Sequence, residues 1–264
     1  IGWCGYPLDK RIFPWNHANC GDLNLSGERR PQSYLRETLW SDAPVSHIVV
    51  TPPVPSFPLN PDKADWSVWD FPDVVDHWNF PGYEGKKMTV SVYSNCEQVE
   101  LFLNGESLGK QENTADKKNT LVWEVPYAHG ILKAVSYNKG GEVGTATLES
   151  AGKVEKIRLS ADRTEIVADG NDLSYITLEL VDSKGIRNQL AEELVAFSIE
   201  GDATIEGVGN ANPMSIESFV ANSRKTWRGS NLLVVRSGKS SGRIIVTAKV
   251  KALPVASITI TQKK

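Results

Sequence analysis

From Ala43 onward, apolar residues recur at every second position. Met88, Val90 and Val92 alternate with Thr89, Ser91 and Tyr93; Val99, Leu101 and Leu103 alternate with Glu100 and Phe102; Leu121, Trp123 and Val125 repeat the pattern. Successive strand side chains point to opposite faces, so each run buries one face. Asn104-Gly105, directly after Leu103, suits a tight primed hairpin turn, which needs positive φ. Lys139-Gly140-Gly141 after Tyr137 reads the same way. A second series follows Ala151-Gly152, with strands expected at Ile157–Leu159, Ile176/Leu178/Leu180, Val195/Phe197/Ile199, Leu232–Val235 and Ile244/Val246/Ala248/Val250. Turns are expected at Asp182-Ser183-Lys184-Gly185 and Ser237-Gly238-Lys239. Short antiparallel strands separated by turn signals predict β-sandwiches. No fixed-period motif relates the two series, so they are two domains and not a repeat array.

The front of the chain differs. Residues 1–30 hold Trp3, Phe13 and Trp15 among many Gly, Pro and Asn, with almost no alternation. Pro31 then stands where a first helical turn tolerates it. In Gln32–Trp40 the residues Leu35 and Leu39 share one face, with Trp40 close by. So short a helix cannot hold by propensity alone and must pack on something. The expected fold is all-β, two antiparallel β-sandwiches in tandem after a short irregular and helical segment. Domain boundaries are expected at 1–42, 43–152 and 153–264.

Composition narrows the function classes. The 264 residues suffice for about two domains, each with its own core. Net charge is −3, which offers no basic field for phosphate and argues against nucleic acid as a partner. No apolar run approaches the ~20 residues of a membrane helix, so no membrane partner is expected. The chain opens at Ile1-Gly2-Trp3 with neither Met nor a basic stretch before an apolar run. The expectation is therefore a processed protein or an excised piece, with no signal peptide. Cys4, Cys20 and Cys96 show no CxxC spacing and are expected to be free thiols.

Several motif fragments fail on context. Gly238-Lys239-Ser240-Ser241-Gly242 has the G-x-S-x-G spacing of a nucleophile elbow, but strands are expected on both sides where the elbow needs a strand-to-helix turn. A phosphate loop would need Gly at position 233, which is Leu233. Gly207-Val208-Gly209 starts a dinucleotide fingerprint, yet its third glycine position is Asn212. Asp169-Gly170-Asn171-Asp172 resembles the start of a calcium loop, but Leu180 stands where a bidentate Glu is required. An Asx-capped turn is the simpler reading. His17, His47, His77 and His129 have no metal-ligand spacing. No catalytic residue, cofactor or metal site is expected. One feature has a functional reading: Trp66, Trp69, Phe71, Trp78 and Phe80 lie among Asp65, Asp70, Asp73 and Asp76. Aromatic faces stack on sugar C–H faces while carboxylates accept hydroxyl hydrogen bonds. Trp66, Trp69 and Trp78 are thus candidate substrate-binding residues. The competing and preferred reading is that these rings pack a sandwich edge or a neighbouring domain.

The quoted segments carry a family resemblance. Val99-Glu100-Leu101-Phe102-Leu103-Asn104-Gly105-Glu106-Ser107-Leu108-Gly109 resembles the hairpin of an immunoglobulin-like domain behind the barrel of glycoside hydrolase family 2 enzymes. Val125-Pro126-Tyr127, Gly130–Tyr137 and Ala151-Gly152 fit the rest of that domain. Residues 153–262 resemble the family's further C-terminal domain, itself similar to invasin-type bacterial modules, on Ile157–Arg163, Ile176–Asp182 and Gly207–Pro213. Cys20–Leu23 and Arg30–Arg36 resemble the end of the family's catalytic (β/α)8 barrel and its last helix. The resemblance implies a retaining β-galactosidase-like parent that uses two carboxyl groups. Neither carries over, because the family's acid/base follows an Asn directly and no Asn here precedes a Glu. One-eighth of a barrel cannot assemble a site built from several strand ends.

Three readings follow. The first is an inert accessory and interface region of a galactosidase, with the rest of the parent barrel as partner and homo-oligomer contacts as a further expectation. The second is a carbohydrate-binding module with the tryptophans as platform; the third is an adhesion-type array, against which the barrel-end segment argues. The resemblance implies export to the periplasm or cell surface.

Overall fold

A computed structural model describes residues 21–56 and 72–264. Among these, residues 21–150 belong to one compact unit and Ala151–Lys264 to a second. The first unit contains a 3-10 turn (Pro31–Ser33) leading into helix α1 (Tyr34–Trp40), then strands β1 (Ser46–Val50), β2 (Lys87–Ser94), β3 (Gln98–Leu103), β4 (Glu106–Glu112), β5 (Thr120–Pro126), β6 (Ile131–Asn138) and β7 (Gly141–Glu149). They form a three-stranded sheet, β1-β2-β5, and a four-stranded sheet, β4-β3-β6-β7, all antiparallel. This is an immunoglobulin-like sandwich. Its core takes the alternating residues read from the sequence, Met88, Val90, Val92, Val99, Leu101, Leu121, Trp123 and Val125. Burying each large apolar side chain contributes roughly 1.5–3 kcal/mol against leaving it in water. Both hairpins named from their turn residues are present, with Asn104 at φ 52° and Gly105 at 88°, and Lys139 at 50° and Gly140 at 78°. Positive φ at both central positions makes these primed turns, whose twist matches the strands they join.

The second unit holds β8 (Lys156–Ala161), β9 (Glu165–Val167), β10 (Leu173–Val181), β11 (Leu194–Glu200), β12 (Ala203–Gly209), β13 (Ser223–Lys225), β14 (Ser230–Ser237), β15 (Gly242–Val250) and β16 (Ala256–Lys263). One sheet runs β12-β14-β10-β8 and the other β13-β11-β15-β16-β9. Ile176, Leu178, Leu180, Val195, Phe197, Leu233, Val235, Ile244 and Val246 fill the space between them. The pairing departs from purely antiparallel order at one place. β16 pairs β9 in parallel, Thr261 with Glu165 through Lys263 with Val167.

The helix at the front behaves differently from the sequence expectation. Tyr34 and Leu35 do pack, against Val49, Val74 and Tyr93 on the outer face of the β1-β2-β5 sheet. Leu39 and Trp40, by contrast, are 62% and 79% exposed. The third inward position is Thr38, which is buried. A stripe through residues 34, 35 and 38 turns Leu39 off the contact, since each helical residue advances by about 100°.

Candidate functional site

Of the three tryptophans nominated as sugar contacts, Trp66 and Trp69 lie outside the described residues. Trp78 is fully buried, which corrects its nomination. Its indole meets Phe80 edge-on at 5.9 Å and Tyr127 at 4.9 Å between ring centroids. The indole Nε1–H donates to the carbonyl of Ala128 at 2.8 Å. The Tyr127 hydroxyl accepts from the Phe80 N–H at 3.1 Å, so the polar ends of both rings are satisfied inside the core. Neither face of Trp78 is open to a ligand; the ring is a packing element. Phe80 is buried beside it.

The motif fragments resolve as turns and strands. Gly238–Gly242 joins β14 to β15, with a strand on both sides of Ser240. The Asp202 carboxylate accepts from the backbone N–H groups of Lys239 and Ser240, at 3.0 and 2.9 Å. These bonds, with the Ser240 hydroxyl the largest cause, hold the Asp202 carboxyl below its usual value. Asp169 Oδ1 accepts from the N–H groups of Asn171 and Asp172, at 2.7 and 2.8 Å, which is an Asx turn. Gly207, Val208 and Gly209 lie on strand β12. Cys96 is a buried free thiol.

A group of side chains that sequence reasoning did not single out sits where α1 meets β1. Glu37 Oε2 is shared by Arg29 Nη1 at 2.8 Å and His47 Nε2 at 3.2 Å. The His47 ring stacks on Tyr34 with centroids 3.8 Å apart, and the Arg29 guanidinium lies 4.4 Å from the same tyrosine ring. Burial pulls the His47 pKa below the ordinary histidine value, with Glu37 opposing and Arg29 adding to the effect. Burial works against the charge on Glu37, but the Arg29 hydrogen bond and the charges of Arg29 and His47 outweigh it and hold its carboxyl low. Asn95 adds to the junction, donating from Nδ2 to the carbonyls of Ser41 and Ala43 and accepting from the Val45 N–H. On the outer side, Asp22, Arg29, Ser33, Arg36, Glu37 and Trp40 line an open cleft of about 340 Å³. Arg36 Nη1 reaches both Asp22 oxygens, at 2.8 and 2.7 Å. The only sequence signal for this surface was the helix itself.

Fold and site together define a pair of immunoglobulin-like sandwiches in tandem, the first carrying a docked helix on which Leu39 and Trp40 are exposed. Residues 157–259 match the family model described as glycoside hydrolase family 2 C-terminal domain 5, and residues 85–144 match a domain of unknown function (DUF4982). The chain belongs to the C-terminal region of glycoside hydrolase family 2 proteins. Beta-galactosidase BoGH2A of Bacteroides ovatus is 30% identical over 96% of this chain and 26% of its own length. A beta-glucuronidase of Formosa agariphila is 30% identical over 75% of this chain and 20% of its own. A crystal structure of a family 2 glycosyl hydrolase from Bacteroides cellulosilyticus superposes with TM-score 0.89 at 96% identity, covering 93% of this chain and 32% of that one. The β-glycosidase from Bacteroides vulgatus gives TM-score 0.79 at 25% identity, covering 94% of this chain and 29% of the other. The chain therefore spans about a fifth to a third of these relatives' lengths.

Proposed function

We propose that this chain is a non-catalytic accessory region of a β-galactosidase-like glycoside hydrolase that cleaves terminal β-galactosides, and that it braces the catalytic barrel. The observation that carries this reading is the two-sidedness of α1. One side is fixed to the first sandwich by Tyr34, Leu35 and Thr38, and the other bares Leu39, Trp40 and the cleft beside them. A helix held in this way transmits the orientation of whatever packs on its open side. The galactoside preference is taken from the curated relative that aligns over 96% of the chain. The inert character rests on the sequence, since no Asn precedes a Glu and a retaining site needs two carboxyl groups about 5–5.5 Å apart. We propose export to the periplasm or the cell surface on the strength of the family resemblance, which cell fractionation tests.

The isolated chain is expected to hydrolyse neither aryl β-galactosides nor aryl β-glucuronides. In the full-length enzyme, replacing Leu39 and Trp40 with Ser should lower the temperature at which activity is lost and leave the melting of the isolated chain unchanged. Turnover by the isolated chain that vanishes on mutating one of its own residues would sink the proposal. So would a double variant whose full-length enzyme is as heat-resistant as the parent.

A further inference from the structure

The second sandwich carries a loop between β12 and β13 whose construction is unusual for a connection. Ile216, Phe219 and Val220 are 75%, 49% and 85% exposed, three large apolar side chains within five residues. Beneath them lies Arg224 on β13, only 1% exposed. Its Nη1 donates to the carbonyls of Val208 and Glu217 at 3.2 and 3.0 Å, and its Nη2 donates to Ser215 Oγ at 3.0 Å. The guanidinium also lies 4.3 Å from the Phe219 ring centroid. Glu217 ties the loop from the other side, accepting from the Lys225 N–H at 3.0 Å and from the Ser215 hydroxyl at 3.1 Å. The Phe219 carbonyl accepts from the Val208 N–H at 2.9 Å, which occupies part of the free edge of β12.

Burying an arginine is costly unless its donors are satisfied. Here Nη1 and Nη2 are spent on one β12 carbonyl and on the carbonyl and hydroxyl of two loop residues. Nε alone lacks a hydrogen-bond partner among the described residues, and the apolar tip is what these bonds hold in place. Single exposed apolar side chains are ordinary, whereas three within five residues form a patch of the kind that contacts a partner. Holding them outward in one shape removes the ordering cost that binding would otherwise carry.

We propose that the Ile216–Val220 tip is a preorganised anchor that docks into an apolar depression on the part of the longer enzyme lying outside residues 1–264. The size of the tip selects this occupant. Three side chains offer roughly 300 Å², well below the ~800 Å² per partner that a stable complex between separate molecules needs. A small contact suffices when the partner is tethered, because effective concentrations then reach about the millimolar range. The relatives supply the tethered partner: this chain covers 26% of one curated protein and 32% of a solved one. The inference rests on the reading of the chain as part of a longer hydrolase, although not on its substrate or on the helix surface described above.

The test compares the full-length enzyme with the isolated chain by hydrogen exchange over residues 213–222, and by thermal melting of the Phe219→Ser and Val220→Ser variants. In the full-length enzyme the loop amides should be at least tenfold better protected than in the isolated chain. The two variants should lower the melting temperature of the full-length enzyme and leave that of the isolated chain within error. Equal protection in both proteins would overturn the proposal. Protection that appears in the isolated chain only at high concentration, together with dimers in sedimentation, would overturn it in favour of a second copy. A Phe219→Ser chain that melts early by itself would remove that variant from the comparison, leaving Val220→Ser and the exchange data to decide. Loss of the anchor without loss of the helix-dependent heat resistance separates failure here from failure of the accessory-region reading.

Discussion

Asn119 Nδ2 lies 3.1 Å from Thr38 Oγ1 and 3.3 Å from the Thr38 carbonyl, joining the loop before β5 to the helix at the front of the chain. Asn119 has φ 59°, a left-handed conformation that Asn and Gly adopt at little cost. Replacing it with Gly therefore removes the hydrogen bonds without adding backbone strain, whereas Ala adds strain. Asn119→Gly is expected to reduce the docking stability of α1 by about 1 kcal/mol, seen as faster amide exchange at residues 35–41 with the sandwich strands unaffected. Unchanged exchange in α1 would show that the apolar contacts of Tyr34 and Leu35 hold the helix unaided.

Trp78 is expected to behave as a core residue. Trp78→Ala should destabilise the first sandwich by about 3–5 kcal/mol in urea unfolding, as large aromatic deletions in cores do. Trp78→Phe should cost less, because it keeps much of the volume and loses the bond to Ala128. A stable Trp78→Ala chain that had lost binding to a polysaccharide would contradict the packing role.

The junction of α1 with β1 should weaken in acid. The His47 pKa is lowered in the docked state, chiefly by burial, so the docked helix binds a proton less readily than the freed one. Its contribution is then fully present above the ordinary histidine value of about 6.5 and is lost as the pH falls through that value toward the lowered one. Exchange protection of α1, corrected for intrinsic rates, should fall between pH 7.5 and 5.5, and His47→Gln should flatten that dependence. Protection that rises on acidification would mean that the Glu37–His47 attraction dominates instead.

Gly238 is a site of close approach. A Cβ there would stand 2.2 Å from Asp202 Cγ and 2.3 Å from the Asp202 carbonyl oxygen. Gly238→Ala should cost about 1–3 kcal/mol in unfolding of the second sandwich. Ser240→Ala, two positions further on, should change stability by no more than about 1 kcal/mol. Neither variant should alter any hydrolytic rate of the full-length enzyme, as befits a hairpin rather than a nucleophile elbow.

What the sequence made legible follows from burial. Strands β2, β3 and β5 alternate cleanly because one face of each meets the core and the other turns outward, to water or, at Tyr93, to the helix. β9 and β13 are three residues long, too short to show a period. β12 is interrupted between Ile205 and Gly207 by a register shift, and the extra residue, Glu206, pairs with Arg236 at the surface. β16 buries only Ile260 and Gln262 fully, so its pattern reads as polar. The surfaces with functional readings were less legible still. Leu39 reads as a core residue by spacing, and only the burial of Thr38 turns it outward. Arg224 carries no local signal at all, since its value lies in carbonyls and hydroxyls that the fold brings to it from residues 208, 215 and 217.

The parallel pairing of β16 with β9 bears on how the second sandwich carries load. The Thr261 N–H donates to the Thr164 carbonyl at 2.8 Å, the Ala168 N–H to the Lys263 carbonyl at 2.7 Å, and the Lys263 ammonium pairs with Glu165 at 2.7 Å. A tension that drew β16 along its own axis past β9 would strain these bonds together in shear. It could not open them one by one, as a pull on the free end of a hairpin would. The seam is short, yet geometry makes it a clasp: rupture must be concerted, so the sandwich resists being drawn apart lengthwise more than the number of its bonds suggests.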